Sequence, residues 1–275
     1  MPSVLVTGAG RGIGRAIAQR LARNGWDVFA GVRREQDGTA LEGAITPVIL
    51  DIADPEHLAA LDAALPATLD AVVNNAGIVV AGPIEGVDLD DLRRQFDVNV
   101  VGQVAVTQAV LPRLRRSRGR IVFVSSVSGR ISTPMTGAYN ASKFALEAVA
   151  DALRMELAPW GIRVALVEPA QTDTDLWRTA EDELGASVAK LSLEHRALYA
   201  GHIEGYRKTI PRSQKMAAPV EGVAASVERA LTDPRPRARY VVGRPARVQA
   251  LLAGLTPTPV LDAALRAGTG TPRKL

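Results

Sequence analysis

Short apolar runs alternate along this chain with longer stretches in which apolar residues recur every three or four positions. Val4–Val6, Val28–Val32, Val48–Leu50, Ala71–Val73, Ile121–Val124 and Val164–Val167 are apolar at successive positions, the pattern of strands buried on both faces. The intervening periodicity predicts helices near 12–24, 55–64, 91–116 and 137–158. Strand and helix in alternation mean βαβ units. The expected architecture is therefore α/β, a doubly wound parallel sheet in three layers (α/β/α) with right-handed crossovers.

The pattern changes after the sixth run. Residues 175–216 carry mixed charges, few strand signals and the aromatic residues Trp177, Tyr199 and Tyr206, and are expected to form a helical insertion that covers a substrate. A last strand near Tyr240–Val242 precedes a Pro/Arg/Ala-rich tail, 244–275, with one helix expected over about 246–266. No repeat, low-complexity linker or composition break appears before about residue 175, and residues 1–275 are expected to form a single domain with a lid.

Composition narrows the chemistry. The chain has no cysteine and only three scattered histidines (His57, His195, His202), which excludes a disulfide framework, a cysteine nucleophile and a thiolate metal site. The 275 residues contain no apolar run of membrane-spanning length, and the N-terminal residues lack the marks of a signal peptide; a cytoplasmic protein is the expectation. The net charge of +4 suits an anionic ligand or simply a solvated, arginine-rich surface, and does not imply nucleic acid. Arg235, Arg237, Arg239, Arg244 and Arg247 cluster among prolines and leave the same two readings open.

Residues 7–14 read Thr-Gly-Ala-Gly-Arg-Gly-Ile-Gly, directly after the first strand and opening the first helix. Gly8, Gly12 and Gly14 let the backbone turn sharply, and the N–H groups at the start of the helix, around Ile13, favour a pyrophosphate. An acidic residue at the end of the second strand would bind the 2′-hydroxyl of NAD, but the strand ends Val32-Arg33-Arg34. Arg33 and Arg34, with Arg11, can pair with a 2′-phosphate or face solvent; the expected cofactor is NADP, with NAD the lesser alternative. Asp51, beside Ile52 at the end of the third strand, can accept a hydrogen bond from an adenine amino group or cap the helix near Pro55.

Tyr139 and Lys143 are four residues apart, on one face of an expected helix. An unperturbed phenol titrates near pH 10, and a nearby ammonium is expected to bring it toward neutrality, where it can act as an acid or base. Ser126, at the end of the fifth strand, can polarise a substrate carbonyl; Ser125 and Ser128 are rivals for that place.

Thr7–Gly14, Asn74-Asn75-Ala76-Gly77, Asn99, Ser126, Tyr139-x-x-x-Lys143 and Pro169 stand in the order of the short-chain dehydrogenase/reductase family. The resemblance covers about 2–175 and, more weakly, the rest. It implies an open Rossmann-type sheet and nicotinamide-dependent hydride transfer between an alcohol and a carbonyl. Phe96–Gly102 and Tyr139–Glu147 look most like the branch acting on steroids, retinoids and other lipophilic alcohols. By the same resemblance Tyr139 is the general acid or base, Lys143 binds the nicotinamide ribose and tunes the phenol, and Ser126 polarises the carbonyl. Asn99 kinks its helix and holds a water, while Asn75, Ala76 and Gly77 line the adenosine ribose. Pro169, Thr172 and Thr174 lie where the family's loop touches the cofactor. The family often has Pro-Gly where this chain has Pro169-Ala170, which puts the geometry of that loop in question. Relatives are commonly dimers or tetramers packed through helices equivalent to 91–116 and 137–158. Two other functions share part of the pattern: a nucleotide-sugar epimerase or dehydratase, and a non-catalytic NADP-sensing interaction protein.

Overall fold

The computed structural model describes residues 1–174 and 178–272, except for the side chains of Arg244 and Pro245. Seven parallel strands form one sheet in the order β3-β2-β1-β4-β5-β6-β7. The strands are β1 (Ser3–Val6), β2 (Asp27–Val32), β3 (Ile45–Ile49), β4 (Ala71–Asn74), β5 (Arg120–Val124), β6 (Arg163–Pro169) and β7 (Arg239–Val242). β1 and β4 are buried at every position, as the unbroken apolar runs require. β3 starts three residues before the expected Val48. Its Pro47 is tolerated because β3 is an edge strand, where a missing N–H leaves no partner unpaired.

Helices α1 (Gly12–Arg23), α2 (Glu35–Thr39), α3 (Pro55–Ala64), α4 (Leu89–Phe96), α5 (Gln103–Ser117) and α6 (Gly137–Glu156) lie between the strands. One apolar layer joins Ile17 and Leu21 of α1 to Val4, Val28 and Val167. The opposite layer joins Val106 and Leu114 of α5 and Leu146 of α6 to Leu5, Val72 and Phe123. The sheet is thus covered on both faces, as a doubly wound fold demands.

The single helix expected over 91–116 is interrupted. A π-helical segment, Asp97–Gly102, separates α4 from α5, and a Cβ added at Gly102 would lie 2.6 Å from the Ile52 carbonyl oxygen. After β6 the chain forms α7 (Ala180–Lys190), α8 (Leu193–Leu198) and α9 (Ala200–Lys215), within the expected insertion; Trp177 lies outside the described residues. Leu184, Ile203 and Ile210 from these helices, with Leu191 just after α7, bury against Ala81 and Met135 in a third cluster. α10 (Glu221–Thr232), which the sequence reading did not identify, packs Val223 and Val227 into the α1 layer. The C-terminal helix expected over 246–266 is two helices, α11 (Arg244–Leu255) and α12 (Thr258–Gly268). Thr256 between them is extended, the conformation that the following Pro257 imposes.

Candidate functional site

The strand order reverses between β1 and β4, so the loops leaving β1, β4, β5 and β6 surround one crevice at the C-terminal edge of the sheet. The glycine turn after β1 is tied to the end of β4. Thr7 Oγ1 accepts hydrogen bonds from the backbone N–H of Asn75 (2.9 Å) and Ala76 (3.1 Å). Asn75 Nδ2 donates to the carbonyl oxygens of Thr7 (3.0 Å) and Gly8 (3.3 Å). Asn75 and Ala76 therefore hold the turn in place, a contact that spacing alone does not reveal. Gly8 has φ +63°, and a Cβ at Gly14 would sit 2.2 Å from the Gly8 carbonyl oxygen, so any side chain there would force α1 off the turn.

The turn fits a dinucleotide pyrophosphate. No side chain caps the N-terminus of α1, so its first backbone amides face outward. A cavity of about 420 Å³ opens over that end, lined by Arg11, Gly12, Arg15 and Thr174 among others. Gly12 and Thr174 are neighbours, since a Cβ at Gly12 would lie 3.5 Å from Thr174 Cγ2. Ile13, half-buried, follows in the same turn. Arg11, Arg33 and Arg34 are exposed and form no ion pair among the described residues. Asp37, in α2, also reaches the turn: a Cβ at Gly10 would lie 3.6 Å from its Oδ2. The sequence reading overlooked this carboxylate because it looked for one at the strand end. Asp51 Oδ1 accepts from Ala53 N–H (3.0 Å), while the cap of α3 is Asp54, whose side chain accepts from Glu56 N–H. Ile52 is buried against Gly102.

Ser126, Tyr139 and Lys143 come together at the end of β5. Lys143 Nζ lies 5.7 Å from the centre of the Tyr139 ring and donates to the Val124 carbonyl oxygen at 2.9 Å. Burial pushes the Tyr139 phenol above its ordinary range, and the Ser126 hydroxyl beside it pulls the other way. In this arrangement burial sets the direction for the phenol. Lys143 is itself buried and held down to about 8, with Glu147 opposing that shift, and it spends a donor on a backbone carbonyl. Among the serines, Ser126 caps the turn Val127–Gly129 by accepting from Ser128 N–H, and Ser125 faces Glu147.

The Lys143 shift fixes a sign. The unfolded chain binds the proton up to about 10.5 and the folded chain only up to about 8, so folding stability rises with pH across that window and is lost as pH falls through 8. Denaturation curves from pH 7 to 10.5 are expected to show a gain over Lys143→Met of about 3 kcal/mol at most. Parallel curves for the two proteins would contradict a depressed lysine.

Asn99 lies in the π segment and closes the crevice from the α4–α5 side. Its Nδ2 donates to Ile78 O (3.0 Å) and Ser142 Oγ (3.1 Å), and its Oδ1 accepts from Ile78 N–H (2.9 Å). Gly77 stands against the same amide. Gln95, which the sequence reading missed, fastens this loop one turn earlier, accepting from Val80 N–H at 2.7 Å. Met135 in the facing loop has φ +67°, a strained conformation held by a buried side chain and by Gly82 N–H donating to its carbonyl. Tyr206 from α9 also faces the site: burial and the neighbouring Tyr139 raise its phenol to about 12.

Pro169 ends β6, and Ala170 does not require a left-handed backbone, so alanine is accommodated where glycine was expected. Thr172 bridges to Ala218, and its Oγ1 donates to Ala170 O at 3.1 Å. Behind the site runs a charge network that no local motif announces. Glu168, with no exposed side-chain surface, lies 2.6 Å from Arg130 Nε and 3.4 Å from Arg239 Nε. Arg239 also bonds Glu147 (3.0 Å) and Asp151 (2.6 Å), both on α6.

The family model described as short chain dehydrogenase matches residues 2–185. The chain is 34% identical over 259 residues to the NADPH-dependent 3-dehydrocapnine reductase of Ornithobacterium rhinotracheale, covering 88% of each chain. It is also 34% identical over 277 residues to retinol dehydrogenase 5 of Mus musculus, covering 95% of this chain and 87% of that one. A crystal structure of a short chain dehydrogenase from Burkholderia cenocepacia J2315 in complex with NADP superposes with a TM-score of 0.76 at 25% identity, covering 96% of this chain and 97% of that one.

Proposed function

Because the chain belongs to the short-chain dehydrogenase/reductase family, whose members are oxidoreductases acting on CH–OH groups, we propose that it interconverts a lipophilic alcohol and its ketone or aldehyde with NADP(H), using Tyr139 as the acid and base. The observation that carries this reading is the convergence of Tyr139, Ser126 and Lys143 at the crevice bounded by the glycine turn. When bound, the nicotinamide supplies or accepts the hydride. The protein's residues do the rest. Ser126 and Tyr139 hydrogen-bond the substrate oxygen and stabilise the charge that develops there. In reduction the Tyr139 phenol gives that oxygen its proton, and in oxidation the phenolate takes it back. Lys143 holds the ribose, and Asn99 keeps the loop at Ile78 fixed against the site. Helices α7–α9 close over the substrate, with Tyr206 and Met135 offering it an apolar wall.

Preference for NADP rests on Arg33 and Arg34, exposed just after β2, and on Arg11, exposed at the start of α1, none of which has an acidic partner among the described residues. The nearness of Asp37 to Gly10 favours the second reading, NAD, since a carboxylate there can accept from a ribose hydroxyl. Purified protein is to be screened with both cofactors against hydroxysteroids, retinoids, acyl ketones and simple aromatic ketones. Arg33→Ala is expected to raise the KM for NADP about tenfold or more and to leave that for NAD little changed, as loss of a charge-assisted bond requires. Equal changes for both cofactors would remove Arg33 from recognition of the 2′-phosphate and leave Asp37 as the determinant.

A further inference from the structure

Charge is distributed unevenly along this chain. Residues 235–275 hold eight of its 33 basic residues and one of its 29 acidic ones, a net charge of +7, whereas the preceding 234 residues sum to −3. Arg235, Arg237, Arg247 and Arg266 are exposed and make no ion pair among the described residues.

The same segment turns its apolar side chains outward. On α11 the inward stripe is alanine: Ala246 is buried, and Ala250 and Ala253 are half-buried. The larger residues Val248, Leu251, Leu252 and Leu255 are between 51% and 73% exposed, and at helical spacing they form one continuous arc. Val260 at the start of α12 extends the arc, with 59% of its surface exposed. A helix stabilised by a core would place leucine inward and alanine outward. Beneath Leu251 and Leu255 an open groove of about 390 Å³ runs to Arg130, in the loop that follows Ser126.

We infer that α11 and α12 form a peripheral docking surface for an anionic lipid bilayer. The leucine arc enters the boundary between headgroups and acyl chains, and Arg247 on α11 and Arg266 on α12 meet headgroup phosphates. At twelve residues α11 lies along such a surface and is too short to span it. A second copy of the chain is the weaker occupant, because isologous pairing of this face would bring two sets of arginines without ion pairs among the described residues together.

The test is sedimentation of the full chain with vesicles of phosphatidylglycerol and phosphatidylcholine, or of phosphatidylcholine alone. The inference predicts partitioning at least tenfold stronger on the anionic vesicles, weakened by high salt. Leu251→Ser/Leu255→Ser is expected to reduce it about tenfold while unfolding at the same temperature as the parent, since both side chains are exposed. Three results would overturn the inference: equal partitioning on both vesicles, partitioning indifferent to the leucine substitutions, or a solution dimer that the double variant dissociates in a protein that ignores lipid. Loss or retention of ketone reductase activity is a separate readout and tests the proposed chemistry alone.

Discussion

Tyr139→Phe is expected to lower kcat about a hundredfold or more with the cofactor dissociation constant unchanged. Phenylalanine keeps the ring that packs beside Lys143 and removes only the hydroxyl beside Ser126. No group taking part in the glycine turn is altered, so cofactor binding is spared. Ser126 still polarises the substrate oxygen, which is why some turnover remains. Without the phenol that oxygen loses the group proposed to give it a proton. The pH profile follows from the same burial. With the phenol pushed above its ordinary range, it stays protonated through neutral pH. Reduction is therefore expected to be flat there and to fall only in alkaline solution, while oxidation, which needs the phenolate, rises with pH. A variant within threefold of the parent would remove Tyr139 from the mechanism.

Glu168→Ala is expected to cost about 3–5 kcal/mol of folding stability, the toll of breaking a buried ion pair on one side. The carboxylate faces Arg130 and Arg239 from a position without solvent access, so its removal strands the Arg130 guanidinium beside an interior void and takes one of three carboxylates from Arg239. Arg239 keeps Glu147 and Asp151, whereas Arg130 has no other acidic partner among the described residues. The loop after Ser126 then loses its anchor, so turnover falls together with stability. Glu168→Gln, which keeps the shape and some of the hydrogen bonds, is expected to lose less. Denaturant midpoints of the three proteins measure the difference; a loss below about 1 kcal/mol would show that the network is solvated and dispensable.

The central strands were legible because each holds an apolar run with no alternation, whereas edge strand β3, with exposed Thr46 and Pro47, was legible only in its second half; the glycine turn was legible because it sits between an apolar run and a helix. Tyr139 and Lys143 could be placed on one face from their spacing alone. Other features depend on residues far apart in the chain. Glu147, Glu168 and Arg239 belong to three elements and show no local pattern, and the tie from Thr7 to Asn75 spans 68 residues. The π segment at Asn99 arises where Gly102 meets the Ile52 carbonyl, a contact that periodicity does not encode. The burial that raises the Tyr139 phenol is likewise a property of the assembled fold, whereas the proximity of an ammonium is readable from spacing.

The most direct test follows a deuterium label placed at C4 of the reduced nicotinamide. Wild-type protein turning over a lipophilic ketone with labelled NADPH is expected to deliver the deuterium to the carbinol carbon of the alcohol, and Tyr139→Phe to slow that delivery while still binding the labelled cofactor. Cofactor oxidised with no label in the alcohol, or label delivered equally fast by both proteins, would contradict hydride transfer assisted by this tyrosine.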